Sequence, residues 1–343
     1  MKLREIYQPI KRDLVKVEEE MKEQLRVEDG FMKRVMEDII ASPGKLLRPG
    51  LALLAFSAGN NNKENKEDII KIASVIELIH TATLIQDDVI DETIFRRHRK
   101  ALHKVWGDRI SILFGDYLFS RSFTVLSQLG YPEIVNALAS TINIICEGEL
   151  KQISRAYDWD LSEEDYFLSI KQKTATLFSF SCFCGGHLGK VGANEIKALV
   201  SYGLNFGIAF QIIDDCLDFI GDESIVGKSL GVDLRKGIVT LPLIHLLSLV
   251  PGNTRMRLIE LISWERGDGV IASIREIIQK YQIMPWCLKR IREYMNRAKE
   301  AARRIKKMNI RRSFMNMCEY KLAHLGETSK IDSSSLLEQL CQI

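Results

Sequence analysis

Proline is scarce, with 7 in 343 residues, so little interrupts regular structure and a proline-rich disordered chain is excluded. Cysteine is equally sparse: Cys146, Cys182, Cys184, Cys216, Cys287, Cys318 and Cys341 are odd in number, scattered, and contain no CxxC pair. That excludes a disulfide framework and a zinc finger, and the seven read as reduced core residues. Excess charge of one sign is nearly missing too: a net charge of +3 cannot draw in a polyanion through the whole molecular field, so no nucleic-acid partner is expected. No window offers the roughly 18 uncharged apolar residues of a membrane span. The opening MKLREIYQPIKRDLVKVEEE is charged and amphipathic, unlike a signal peptide, and a cytoplasmic protein is expected.

Alternating strand patterns are absent as well. Apolar residues instead recur at three- and four-residue spacing, as in Ile69, Ile70, Ile72, Ala73, Ile76, Leu78 and Ile79, the period of a buried helix face. With 46% hydrophobic and 27% charged residues the chain can bury a large core, as one big helical domain or two ordinary ones. Breaks are expected at Ser42-Pro43-Gly44, Gly59 to Asn65, Gly130-Tyr131-Pro132, Tyr157 to Asp160, Gly185-Gly186, Gly221 to Gly237 and Pro251-Gly252-Asn253. No linker between them is long enough to separate domains. The expectation is an all-α protein: a single bundle of about ten or more helices over residues 1–325, with a partly ordered tail at 326–343.

Thr174 to Gly189 and Ala198 to Ile213 carry no Asp, Glu, Lys or Arg, which suits helices surrounded by other helices. Lys289 to Arg312 is the opposite, strongly basic with only Glu293 and Glu300 as acids. It reads as a solvated helix face, or as a surface attracted to an anionic membrane or a partner subunit.

Two acidic clusters carry the chemistry: Asp87-Asp88 with Asp91, and Asp214-Asp215 with Asp218. In a helix, residues four apart share a face, so Asp87 and Asp91 project together, as do Asp214 and Asp218. Like charges so placed repel and need a cation. An oxygen-only site suits Mg²⁺, which takes one or two carboxylates and completes its shell with phosphate oxygens and water. The apolar lead-ins, Ala82-Thr83-Leu84-Ile85 and Gly207 to Ile213, place both clusters at the ends of buried helix. Around them stand Gly44-Lys45-Leu46-Leu47-Arg48-Pro49, Arg96-Arg97-His98-Arg99-Lys100, Lys171-Gln172-Lys173-Thr174, and a polar loop from Gly227-Lys228 to Lys236-Gly237. Metal ions on one diphosphate do not account for so much positive charge, and a second anionic group does.

GKLLRP, ELIHTATLIQDDVIDETIFRR, KTATLF and FQIIDDCLDFIGDESIVGKSLGVDLRKGIVTLPL resemble, in order, the motif set of the trans-isoprenyl diphosphate synthases, or polyprenyl synthetases, over roughly residues 30 to 250. The resemblance implies the isoprenoid synthase fold, a bundle of long helices around a central cavity and usually dimeric. It implies about three Mg²⁺ ions, held by Asp87, Asp91 and Asp214, with Asp88, Asp215 and Asp218 in support. The allylic diphosphate, such as farnesyl diphosphate, would be held by Arg96, Lys173, Thr174, Gln211 and Lys228 with help from Lys236. Isopentenyl diphosphate would sit on Lys45, Arg48, His80 and Arg97. His80 by itself reads as a core histidine or, two turns before the aspartates, as a ligand. Leu46, Gln86 and His98 depart from the family pattern, and His98 adds bulk where a glycine commonly follows the two arginines.

Product length is expected to follow from what blocks the cavity below the first cluster, where each helical turn rises about 5.4 Å, close to one prenyl unit. The fifth and fourth residues before Asp87 are the small Ala82 and Thr83, which points to a long product of hexaprenyl to decaprenyl class with a floor near Ile79 or the facing Ile142 to Ile145. A class I terpene cyclase would use one such aspartate helix but needs no isopentenyl site, so Lys45, Arg48 and the second DDxxD count against it. A non-catalytic partner subunit would be expected to lose metal ligands. Both a homodimer and the catalytic half of a heterodimer stay open.

Overall fold

The computed structural model describes residues 2–40, 44–59, 64–96, 99–221, 230–264 and 268–328. They are almost wholly helical: α1 (Leu3–Ile6), α2 (Lys11–Gln24), α3 (Gly30–Ile40), α4 (Leu47–Ala58), α5 (Lys66–Ile90), α6 (Leu102–Trp106), α7 (Asp108–Gln128), α8 (Pro132–Ser154), α9 (Glu163–Ile170), α10 (Thr176–Leu188) and α11 (Ala193–Ile220). Helices Val232–Arg235, Leu241–Leu249, Gly252–Trp264, Asp268–Lys280, Ile283–Arg303 and Met308–Thr328 follow. The strands among the described residues are two dipeptides, β1 (Phe95–Arg96) and β2 (Arg99–Lys100), paired antiparallel. Two residues are too few to leave an alternating pattern, so this hairpin had no sequence signature.

The chain forms two compact units. One comprises Met1–Ile142, Leu177–Gly203 and Lys299–Met317, the other Asn143–Thr176, Leu204–Ala298 and Cys318–Ile343. In the first, α5 is buried continuously from Ile72 to Ile79, Ser74 and Glu77 included, and packs against α2, α4 and α7. A helix walled on all sides by other helices needs no polar face. Lower on α5, Leu78, Ala82 and Ile85 join Leu25, Val35, Met36, Phe114 and Leu118 in one apolar cluster.

The expected breaks at Gly130-Tyr131-Pro132, at Tyr157 to Asp160 and before Gly252 fall between helices, Pro132 opening α8 where no intrahelical N–H is needed. Gly185-Gly186 is a correction, because α10 runs straight through it. A Cβ at Gly185 would lie 2.0 Å from the Ala52 carbonyl oxygen and 2.7 Å from the Ala55 Cβ. The glycine is there for close approach of α10 to α4, not to end a helix. The last helix reaches Thr328, so the expected tail begins within it, and 329–343 lie outside the described residues.

Cys182, Cys184, Cys216, Cys287 and Cys318 are buried as expected, whereas Cys146 is exposed on α8, a correction to its reading as core; Cys341 lies outside the described residues. The basic helix Ile283–Arg303 buries Ile291, Met295, Ala298 and Ala302, a stripe at helical spacing that leaves its charges on the remaining faces. Arg290 pairs with Glu163 at 2.8 Å and Glu293 at 3.1 Å. Among the described residues one helix, Ala193–Ile220, is long and apolar enough to cross a membrane, and 56% of that window is buried, as in a core helix.

His103 on α6 is 5% exposed and neither ring nitrogen has a hydrogen-bond partner. Burial first, then neighbouring Lys104, lowers its pKa from 6.5. Because the folded value is depressed, the unfolded chain takes up the proton first, and stability is lost as pH falls below 6.5. His103→Phe is expected to flatten the fall in thermal midpoint between about pH 7 and pH 5.

Candidate active site

The first cluster closes α5. The Asp91 N–H donates to the Asp87 carbonyl at 2.7 Å, so both side chains sit on one face of the last turn, each half-buried. Three carboxylates crowd the negative end of the helix dipole, which makes the spot strongly attractive to cations. Asp88 is committed elsewhere. It is 3% exposed and holds Arg96, whose Nε lies 2.7 Å from each carboxylate oxygen and whose Nη2 lies 2.6 Å from Oδ1. The β1–β2 hairpin carries Arg96 back over the helix end, and the charged pair fixes it there.

On α4, Arg48 is 9% exposed with its guanidinium 4.2 Å from the Phe178 ring centroid, a cation–π seat that orients the head. Just before it, Leu46 adopts φ 49° and ψ 41°, a left-handed conformation costly for a leucine. The Tyr7 hydroxyl donates to its carbonyl at 3.2 Å. Lys45 is exposed and His80 half-buried, and the Thr83 hydroxyl donates to the His80 carbonyl at 2.8 Å. Ala82 and Ile79 are fully buried, while Thr83 is half-buried. Ile145 is buried and Ile144 exposed. A cavity of about 480 Å³ beside α5 takes in Asp88, Arg96, Leu78 and Ile85, but none of Asp87, Asp91, His80 or Thr83.

The second cluster sits on α11, and its three carboxylates have three different fates. Asp214 is 38% exposed and accepts from the Lys321 ammonium at 2.8 Å. Asp215 is buried, receiving the Tyr166 hydroxyl at 2.5 Å and the Gln211 amide at 2.8 Å. Burial, then the charge of Asp233, pushes its pKa up to about 7, against the pull of those two hydrogen bonds. Asp218 is fully buried and accepts, at 3.4 and 3.3 Å, from the backbone N–H groups of Val232 and Asp233. It ties down the segment that carries Lys236, which is half-buried.

Between α9 and α10 the backbone widens into a π turn, Lys171–Ala175, a distortion common at functional positions. It offers Lys173 and Thr174. Lys173 pairs with Glu149 of α8 at 2.5 Å, and Thr174 donates to Gln211 at 2.7 Å. Gly148 permits this, since a Cβ there would come within 2.8 Å of the Gln172 Cβ. A continuous chain thus runs Thr174–Gln211–Asp215–Tyr166. Tyr166 is placed by α9, which starts at Ser162 with the Ser162 hydroxyl accepting from the Asp165 N–H at 3.0 Å.

Arg97 and Lys228 lie outside the described residues. Three participants, Tyr166, Glu149 and Lys321, were not anticipated. Lys321 alone left a trace in the sequence, a charge in the stripe of Phe314, Met317, Cys318 and Leu325, each fully buried.

Among the described residues no three acidic, histidine or cysteine side chains converge as a metal cage. That donor set still fits Mg²⁺, which rarely uses an all-protein cage and takes one or two carboxylates together with substrate phosphates. Asp87 with Asp91, and Asp214, are the carboxylates that would hold it.

The polyprenyl synthetase family profile matches residues 29–281. The octaprenyl diphosphate synthase of Escherichia coli is 33% identical over 304 residues, 87% of this chain and 91% of that protein. Heptaprenyl diphosphate synthase component 2 of Geobacillus stearothermophilus is 38% identical over 248 residues, 72% of this chain and 77% of its own length. Among solved structures, a decaprenyl diphosphate synthase from Rhodobacter capsulatus superposes with a TM-score of 0.88 at 29% identity, covering 94% of this chain and 99% of that one. With the motifs, the helical fold and a profile spanning most of the length in agreement, the chain belongs to the polyprenyl synthetase family.

Proposed function

We propose that this prenyltransferase condenses an allylic prenyl diphosphate with successive isopentenyl diphosphates and builds a long all-trans polyprenyl diphosphate. The observation that carries the long product is the face of α5 above the paired carboxylates. One turn before Asp87 stands a half-buried threonine, Thr83, and no aromatic side chain.

Arg96, Lys173, Thr174, Gln211, Lys228 and Lys236 bind the allylic diphosphate, and Lys45, Arg48, His80 and Arg97 bind isopentenyl diphosphate. When bound by Asp87, Asp91 and Asp214, Mg²⁺ supplies Lewis-acid stabilisation of negative charge on the departing diphosphate. Arg96 is already aimed by Asp88, so it stabilises that charge with little reorganisation. Lys173 leaves Glu149 to do the same. The allylic C–O bond breaks with its electron pair going to diphosphate, and the alkene of isopentenyl diphosphate forms the new carbon–carbon bond. A proton passes from the new chain to the released diphosphate, and the lengthened product is again allylic. The apolar surroundings keep water from the cation.

Residues 1–325 serve as one functional domain, acting as a homodimer or, as the component 2 relative suggests, as the catalytic half of a heteromer. The test is incubation of the purified chain with farnesyl diphosphate, labelled isopentenyl diphosphate and Mg²⁺, followed by sizing of the products. No elongation by the chain alone overturns the homomeric form. Products of farnesyl or geranylgeranyl length overturn the long-chain reading. Thr83→Phe is expected to shorten the product without stopping the first condensation. Ala82→Phe, aimed into the packed cluster of Phe114 and Leu118, is expected instead to destabilise the fold by about 1–3 kcal/mol, as overpacking does.

A further inference from the structure

We propose that Lys321 is a built-in cation that occupies Asp214 in the metal-free enzyme and must give way when a divalent ion binds there, so that it sets how much of the ion the second cluster requires. This rests on the reading of Asp214 as a metal-holding carboxylate.

Lys321 is 5% exposed, a rare condition for a lysine unless it is paired. It occupies a core position of its helix: Met317 and Cys318 on the turn before, and Leu325 on the turn after, are fully buried. Its ammonium has two placed partners. One is Asp214 Oδ1 at 2.8 Å; the other is the ring of Phe210, whose centroid lies 3.7 Å away. Phe210 and Asp214 are four residues apart on α11, so a single ammonium bridges the face from which the carboxylate projects.

The electrostatic need is plain. Asp214 stands one turn from Asp218 and beside Asp215, and without a cation this charge density opposes folding. Lys321 neutralises Asp214 with one unit of charge, and a divalent ion does so with two. Both compete for the same oxygen. When the ion wins, the Phe210 face retains the displaced ammonium, because cation–π attraction needs no carboxylate. The buried head therefore has two resting states and is not expelled into solvent.

The thermal midpoint of the full chain, followed against Mg²⁺ with inorganic diphosphate as the anionic probe, tests this without turnover. Lys321→Met is expected to lower the metal-free midpoint and to reduce the Mg²⁺ concentration for half the shift by roughly tenfold, the scale of one charge-assisted hydrogen bond lost from the competing state. Lys321→Arg should retain the parental requirement. If the methionine variant does not fold, Lys321→Gln takes its place with the same expectation. An unchanged or higher Mg²⁺ requirement in the neutral variant overturns the proposal, as does a parent protein with no Mg²⁺-dependent shift. A parent that shows the shift but does not elongate farnesyl diphosphate overturns the proposed reaction and leaves the competition at Asp214 standing.

Discussion

Asp87→Ala is expected to remove turnover, by at least about a thousandfold in kcat, while the thermal midpoint stays at or slightly above the parental value. The two effects separate because this carboxylate opposes folding where it stands. It lies at the negative end of the α5 dipole, one turn from Asp91 and next to Asp88, and repulsion at that spacing costs a few tenths of a kcal/mol per pair, about 0.3. Alanine relieves the repulsion and is a better helix former. A residue kept against its own contribution to stability is kept for a ligand. Steady-state rates with farnesyl and isopentenyl diphosphates, beside a thermal melt of the same preparation, check both halves. Loss of activity accompanied by a fall of the melt would show that Asp87 is structural.

Gly185→Ala carries the largest expected loss of stability, about 3 kcal/mol, the upper part of the usual range for overpacking a tight contact. The methyl would be forced to 2.0 Å from the Ala52 carbonyl oxygen and 2.8 Å from the Phe56 nitrogen, and neither is the flexible end of a side chain. The helices must part. The same pair of helices seats Arg48: Phe178 lies two turns before Gly185 on α10, and Arg48 one turn before Ala52 on α4. Parting them lifts the guanidinium from its ring. The variant should therefore show a raised KM for isopentenyl diphosphate along with its lowered midpoint, and an unchanged KM would break the link between this crossing and Arg48.

The helices were legible because their cause is local. Apolar residues at three- and four-residue spacing bury one face whatever the partner, and the breaks at Gly130 and Gly252 lie where backbone geometry must change. Gly185-Gly186 was misread for the opposite reason. Within a short window glycine signals a turn, and only the presence of α4 shows that it makes room for another backbone. The exposure of Cys146 and the hairpin around Arg96 escaped in the same way, since neither burial nor two-residue pairing is written in the adjacent sequence.

The candidate site divides along the same line. By itself the sequence determined the chemistry: two aspartate pairs at helical spacing, lysines and arginines around them, and small residues before the first pair. Four residues apart on a helix means one face, and that follows from bond geometry alone. The tertiary structure decided which of the six aspartates remain available to an ion. Asp88 is taken by Arg96, Asp215 by Tyr166 from 49 residues away, and Asp218 by backbone amides, while Asp214 is held by Lys321 from 107 residues away. Such partners are chosen by packing across the fold, where burial makes an unpaired carboxylate costly, and no local pattern records which distant side chain will meet it.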